Sequence, residues 1–477
     1  MLDRIVGIET EYGLLVHSDE RARAPERIAH RLRDFIFREQ HLGLLDQHHR
    51  DYDEPIGNGG FLLNAGRLYV DMGHLEYASP ECSTLADIVA YDRAGDAIVQ
   101  RALDEAGLGE QASLIKNNID HETGATFGSH ENYLVRRSFP FDRGGLDRLV
   151  PFLVTRQIFT GSGRVGAAHI PGGLVTIGSP PTRDPVTFQI SQRADHIVNE
   201  FFQWVQANRS IINTRDEPLA DPDRFRRIHL LLGDSNLCEV ATALKVGTTS
   251  LVLQLIEDGA RLDGWTLMDP VGALRSISRD PSRRWMVELA DGRTMSAVTI
   301  QEGYAREARE RYYGQDDETD WVIDQWERVL TDLQGDYRQL VGRVDWASKL
   351  WLLETFREAE GVEWGDPWLK SLDLEYHNLQ PSKGLYFALG DEGRLDRYVT
   401  DEAVELAVAG PPRNTRAFGR GEAIRHLMGT KSRYVITWSG LLVEGRQPFR
   451  MPDPFVTYAV AVAAHLDHGA APGTAAS

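Results

Sequence analysis

Glu9 and Glu11 stand two positions apart in RIVGIETEYGLLV (4–16), a β-branched and apolar run that reads as a strand. Residues i and i+2 of a strand point to the same face. The two carboxylates therefore repel each other unless a cation, a basic partner or water lies beside them. A hard cation such as Mg²⁺ takes oxygen ligands of this kind together with substrate phosphates; the solvated face of an edge strand accounts for the pair as well. Arg67, Tyr69 and Asp71 repeat the pattern in GRLYVDM (66–72), with Leu68 and Val70 on the other face. Either that polar face meets water, or it lines a cavity where Arg67 grips phosphate and Asp71 acts as a general base or nucleophile. Glu76, just past the strand in GHLEYASPEC, completes an oxygen cage with Glu9 on the second reading, while nothing in the spacing singles out Glu81.

His130 and Asn132 share a face in GSHENYL, and His229 lies in RIHLLLGDSN. A lone histidine is more often a core or surface residue than a ligand, but two of them near carboxylates suit a second metal or a phosphate. Arg209, Arg215, Arg224, Arg226 and Arg227 crowd into RSIINTRDEPLADPDRFRRIH (209–229). Arginine suits bidentate carboxylate and phosphate recognition; ion pairing with Asp216, Glu217, Asp221 and Asp223 is the alternative. The sequence has no GxxxxGK[ST] loop, no convincing GxGxxG after a strand, no Cys/His zinc spacing and no GxSxG elbow. TGSGRVG (160–166) is Gly-rich but lacks the phosphate-loop lysine.

The elements that must position these residues follow from periodicity. Strands are expected at 4–16, 66–72, 114–119, 131–137 and 228–232, and helices at 24–40, 84–106, 145–159 and 239–258, with several more over 299–360. Residues 41–63 and the Gly/Pro-rich 161–186 read as long loops, and the tail 469–477 as disordered. Strands and helices do not alternate as βαβ units, which predicts an α+β fold with an antiparallel sheet.

The chain has 477 residues, of which 42% are hydrophobic and 26% charged, an ordinary globular composition. Its formal charge of −19 makes it a poor general ligand for nucleic acid or an anionic membrane. Cys82 and Cys238 are the only cysteines, so no disulfide framework is expected and a reducing cytoplasm fits best. The start MLDRIVGIETEYG lacks the pattern of a signal peptide, and no apolar stretch of about 18 residues is apparent.

Nine segments in order resemble the family of Pup ligases and Pup deamidase/depupylases: GIETEYG (7–13), AGRLYVD (65–71), EYASPEC (76–82), KNN (116–118), GSHENYL (128–134), PFLVTRQ (151–157), SQRADHI (191–197), INTRDEP (212–218) and HLLLGDSN (229–236). The resemblance extends to about residue 460. It implies a large glutamine synthetase-like domain over 1–395, with a curved antiparallel sheet packed by helices, and a small C-terminal domain over 396–468. It also implies ATP and Mg²⁺ as cofactors. On it, Glu9, Tyr69 and Glu76 correspond to magnesium ligands, and Arg67 and Ser79 to ATP contacts. Asp71 corresponds to the catalytic aspartate, and His130 and His229 to positions near a second metal. Asn132, Leu231 and Trp438 (in YVITWSG) correspond to nucleotide contacts. Arg215 and Arg227 are the residues expected to hold the modifier's terminal Glu or Gln. The implied partner is a small, acidic, largely disordered Pup-like modifier with its lysine conjugates, linked functionally to a bacterial proteasome.

The family runs opposite reactions, ligation of the modifier to lysine and hydrolysis of the same bond. TGSGRVG, the Asp71-to-Glu76 interval, ISRDPSRRWMVELADGR (277–293), LDLEYHNLQPSKGLY (372–386) and RDYDEP (50–55) resemble the depupylase. The expected activity is thus an ATP/Mg-dependent depupylase and deamidase, with a Pup-type ligase as the alternative. The loop that RDYDEP begins is shorter than the usual depupylase loop, and 167–186 reads as an insertion.

Overall fold

The computed structural model describes residues 4–17, 24–50, 54–121, 123–166, 187–203 and 209–467. The insertion 167–186 and the tail 469–477 lie outside the described residues, as do residues 51–53 of RDYDEP. The fold is mixed α+β with antiparallel sheet, as the order of elements predicts. The chain forms two compact units. A terminal unit comprises Ile5–Ala112, Glu217–Phe225 and Thr400–Ser477, and a central unit comprises Met1–Arg4, Ser113–Asp216 and Arg226–Val399. The expected division is a large domain over 1–395 and a small one over 396–468; by contact, Ile5–Ala112 and Glu217–Phe225 cluster with the C-terminal segment instead.

In the terminal unit, β1 (Val6–Val16), β2 (Gly43–Leu45), β3 (Gly59–Leu62), β4 (Arg67–Asp71) and β5 (His74–Ala78) run in the order β1-β5-β4-β3-β2. Every one of these pairings is antiparallel. Glu11 and Tyr69 both stand opposite Glu76, Glu9 and Arg67 both stand opposite Ala78, and Asp71 faces His74. Directly opposed residues share a face, so all the expected polar residues of β1, β4 and β5 project from one side.

The other side carries Thr10, Tyr12, Leu68, Val70, Leu75 and Tyr77, all buried. Helices α1 (Ala24–Asp34) and α2 (Leu85–Glu105) pack in this unit against β1. The Tyr12 hydroxyl donates to Asp96 of α2 at 2.9 Å. A Cβ at Gly95 would stand 2.3 Å from the Tyr77 ring, so α2 sits closer to the sheet than any larger residue permits. Thr84 caps α2 by accepting from the Asp87 backbone N–H at 3.1 Å.

Residues 41–63 are not simply a loop, because β2 and β3 pair across them. The strands rest on close backbone approach: a Cβ at Gly60 would lie 2.0 Å from the Leu44 carbonyl oxygen. Glycine at such positions removes the hydrophobic alternation by which a strand is read. The C-terminal part of the unit adds helices Asp401–Ala409, Ala417–Met428 and Ala459–Asp467 and a three-stranded sheet over Tyr434–Thr437, Gly440–Val443 and Phe449–Arg450. Its core of Ile424, Leu427, Ile436, Leu441 and Met451 includes Phe61 of β3.

In the central unit, strands Asn199–Phe202, Ser210–Asn213, Phe225–Leu230 and Ser129–Arg136 lie side by side in that order. Helix Glu239–Glu257 packs with helices Arg143–Thr155, Ala297–Tyr312 and Asp317–Leu333. It is long and apolar enough to match a membrane span, contrary to the expectation that no such stretch exists, but 94% of its apolar window is buried inside the protein. The helix is a core element, and its apolar character follows from burial on all sides. Glu131 and Arg156 form a buried ion pair at this layer, with an Arg156 Nη1–Oε2 distance of 2.9 Å.

Candidate functional site

The chemistry-bearing face of the terminal unit is built by strand register. Glu11, Asp71 and Glu76 each offer a carboxylate oxygen, and these oxygens all lie within 4.8 Å of one another. The Tyr69 hydroxyl donates to Glu76 Oε1 at 2.5 Å. Burial, together with the Glu11, Glu9 and Asp71 carboxylates, holds the Glu76 carboxyl well above the usual carboxylate range, and the Tyr69 bond opposes the shift only in part. Burial and the Glu76 and Glu9 charges likewise raise the Tyr69 hydroxyl. A cluster of oxygen donors at this spacing, destabilised by its own charge, fits a hard divalent cation. Glu9 occupies the next same-face position of β1. The residues fit a bound Mg²⁺, with Glu11 joining Glu76, Tyr69 and Glu9 as candidate ligands and Asp71 beside them.

Arg67 lies on the same face, and its guanidinium is engaged: Nη2 donates to Asp46 at 3.0 Å and to Glu54 at 2.5 Å. Both carboxylates belong to the segment between β2 and β3, so an incoming phosphate must compete with them. Arg50 reinforces the segment through two bonds to Asp46, of 2.6 and 2.7 Å. Phe61 stands opposite Arg67 in register, and Trp438 packs edge-on against Phe61 with ring centroids 5.1 Å apart. Arg67 and Trp438, far apart in sequence, thus meet neighbouring parts of one surface. Ser79 is buried and its hydroxyl accepts from the Ile8 backbone N–H at 3.0 Å, which ties β1 to the end of β5.

In the central unit, His130 and Asn132 occupy the half-buried positions of the Ser129–Arg136 strand, and Glu131 and Tyr133 the buried ones. The His130 and His229 rings meet edge to face at 5.3 Å. Arg227 Nη1 donates to Asn132 Oδ1 at 3.3 Å. Leu231 is buried, and its N–H donates to Ile211 at 3.1 Å. Arg215 lies on the exposed stretch after the Ser210–Asn213 strand, where its backbone N–H donates to Asn213 at 2.9 Å. The neighbouring arginines are partly committed to ion pairs, Arg226 with Asp216 at 3.7 Å and Arg224 with Asp453 at 2.7 Å. The Gly-rich run is pinned as well: the Ser162 and Val165 amides donate to Asp234 and Asp373 at 2.9 and 2.8 Å.

Glu81 is the residue that spacing passes over. Buried, it accepts from Arg416 Nε at 2.7 Å and from Arg420 Nη1 at 3.0 Å, with a further bond from Arg420 Nη2. Arg420 also donates to the Ala65 and Trp438 carbonyls at 2.9 Å each. Its guanidinium lies 4.8 Å from the Trp438 ring and 5.1 Å from Phe61. Burial alone raises the Glu81 carboxyl, but the two guanidinium groups outweigh it and bring it down to about 2. One buried arginine thereby fixes both the turn leading into β4 and the loop bearing Trp438. The two arginine partners of Glu81, Arg416 and Arg420, lie 335 and 339 residues from it, a separation no local pattern reveals.

Residues 4–442 match the family described as Pup-ligase protein. A Pup deamidase/depupylase from Mycolicibacterium smegmatis is 44% identical over 380 residues, which is 79% of this chain and 74% of that protein. A solved complex of the prokaryotic ubiquitin-like protein Pup with its ligase PafA is 34% identical, with a TM-score of 0.83 over 98% of this chain and 92% of that one. The same ligase in complex with ADP is 33% identical, with a TM-score of 0.76 and 97% of each chain covered.

Proposed function

We propose that this chain, which belongs to the Pup-ligase family, acts within it as a depupylase and deamidase. The family's enzymes work on Pup in a nucleotide-dependent way, as the Pup and ADP complexes of the ligase illustrate. The observation that carries the reading is the convergence of Asp71 with Glu11 and Glu76 on a face shared with Arg67. Asp71 thereby stands beside oxygen donors that suit a divalent cation, where a carboxylate can act as a general base or nucleophile.

Glu9, Glu11, Tyr69 and Glu76 hold magnesium, which when bound neutralises nucleotide phosphates and polarises oxygen. By the family resemblance, Arg67, Ser79, Asn132, Leu231 and Trp438 would contact the nucleotide, and His130 and His229 would serve a second metal. Arg227, oriented by Asn132, and Arg215 receive the modifier's terminal carboxylate. Asp71 takes a proton from water as its oxygen bonds to the side-chain amide carbon of the modifier's terminal residue. The C–N bond then breaks, and the nitrogen leaves protonated as lysine amine or, from a terminal Gln, as ammonia. Direct attack by the Asp71 carboxylate, with the leaving nitrogen taking a proton from water and the hydroxide so formed hydrolysing the anhydride, gives the same products.

The direction is supported by the depupylase-like segments at 50–55, 160–166, 277–293 and 372–386 and by the 44% identity to a depupylase. The ligase reading, in which the terminal Glu is phosphorylated and lysine attacks, draws on the near-complete superposition with the ligase. Incubating the enzyme with Mg·ATP and a modifier–protein conjugate separates them. Free modifier released without matching ATP consumption supports hydrolysis. Intact conjugate, with new conjugates formed from Glu-ended modifier as ATP is spent, refutes it.

A further inference from the structure

The central unit holds a cavity of about 760 Å³, lined by the 282–286 segment, the first turn of helix Ala297–Tyr312, the 333–338 turn and Glu354. None of these residues belongs to the site above, although 282–286 lies within the depupylase-like 277–293. Its wall is held in an unusual backbone conformation: Arg283 and Trp285 both have positive φ, 56° and 47°. Side-chain-bearing residues persist there only when their surroundings impose it, and such positions cluster at ligand sites. Asp280 does the imposing, accepting from the Ser282 and Trp285 backbone N–H groups at 2.9 and 2.7 Å and from the Ser282 hydroxyl at 2.6 Å.

The result is a cationic wall on an aromatic floor. The Arg283 guanidinium lies 4.4 Å from the Tyr337 ring centroid and that of Arg338 lies 5.8 Å from it, with Arg284 alongside. The two carboxylates present are already engaged, Glu354 by the Tyr337 hydroxyl at 2.5 Å and Asp336 by the Arg338 backbone N–H at 3.0 Å and its guanidinium at 3.7 Å. Arg283 Nη1 and Trp285 Nε1 are buried without a hydrogen-bond partner among the described residues, and Trp285 is only 1% exposed. Both atoms are donors only, so what this wall lacks is an acceptor. The start of the long Ala297–Tyr312 helix adds partial positive charge, while Met286, Val298 and Leu333 give an apolar side.

We propose that this cavity is a second binding site, independent of the Asp71 chemistry, for a carboxylate carried on an apolar body. Arg283 receives the carboxylate and the Trp285 indole N–H supplies a further donor. The volume is that of a small-molecule pocket, ~300–1,000 Å³, far larger than one inorganic ion needs. The carboxylate can come from a free carboxylic acid or from an acidic side chain of a polypeptide.

Calorimetric titration of the full chain with citrate, and separately with an acetylated Glu/Leu hexapeptide, tests this in the parent protein, Arg283→Gln and Trp285→Phe. Saturable binding of at least one probe is expected, weakened about tenfold or more by Arg283→Gln and severalfold by Trp285→Phe, with conjugate turnover unchanged. The probe that binds names the source. Should Arg283→Gln fail to fold, Trp285→Phe alone decides. No saturable binding of either probe, or binding that survives in every folded variant, overturns the proposal.

Discussion

Glu76 concentrates the electrostatics of the candidate site. It is 3% exposed, touches one neutral donor in Tyr69, and has Glu11, Glu9 and Asp71 as charged neighbours. A divalent cation relieves that repulsion, so neutralising a ligand should cost cation binding before it costs folding. Glu9→Ala is expected to weaken Mg·ATP binding by about tenfold, or ~1.4 kcal/mol, in a nucleotide titration; an unchanged affinity would remove Glu9 from the ligand set. Glu81 has the opposite environment, one acid between two arginines. Glu81→Gln strands those two buried charges and should lower stability by roughly 3–5 kcal/mol, read as a fall in the denaturation midpoint. Its carboxyl is held down to about 2 in the fold, below the unfolded value of ~4.3. Its stabilising contribution is therefore complete above the unfolded value and is lost as pH falls towards 2. The parent protein should lose stability over that acidic range, and the Gln variant should lose less.

At the level of elements, the site was legible where side chains alternate. Strands β1 and β4 disclose their polar rows because i and i+2 share a face, and the register then sets both rows against Glu76. The 41–63 run carries no such alternation, since Gly43, Gly59 and Gly60 serve close backbone approach, and β2 and β3 stayed hidden. The hub at Arg420 stayed hidden for another reason, as its contacts join distant segments. The segment between β2 and β3 also changes the view of Arg67, which its acids Asp46 and Glu54 already hold. Glu54→Gln removes one competitor for phosphate and should tighten nucleotide binding severalfold at equal Mg²⁺; weaker binding would mean that Glu54 orients Arg67 for the nucleotide. Removing 47–57 spares both strands and should change turnover or substrate choice while leaving the unfolding transition cooperative. A lost transition would make the segment structural.

For the whole molecule, a net charge of −19 repels an acidic modifier, so recognition must come from local arginines such as Arg227. Arginine–carboxylate docking near the surface weakens as salt shortens the Debye length from ~10 Å at 0.1 M to ~3 Å at 1 M. Modifier affinity is expected to fall several-fold between low and high salt, and an affinity insensitive to salt would contradict the arginine docking. Composition showed the overall acidity and the need for such a patch. The Arg226–Asp216 ion pair follows the alternative reading of the arginine cluster, whereas the pairing of Arg224 with Asp453 depends on which distant segments the fold sets side by side.

The central claim is that Asp71 performs the chemistry on a face assembled to bind Mg·nucleotide. Asp71→Asn preserves the shape of the side chain and removes its basicity. Conjugate cleavage by this variant, measured beside nucleotide affinity on the same sample, tests the claim most directly. The account predicts a loss of turnover by at least about a thousandfold with nucleotide still bound; substantial residual cleavage by a variant that binds nucleotide normally would contradict it.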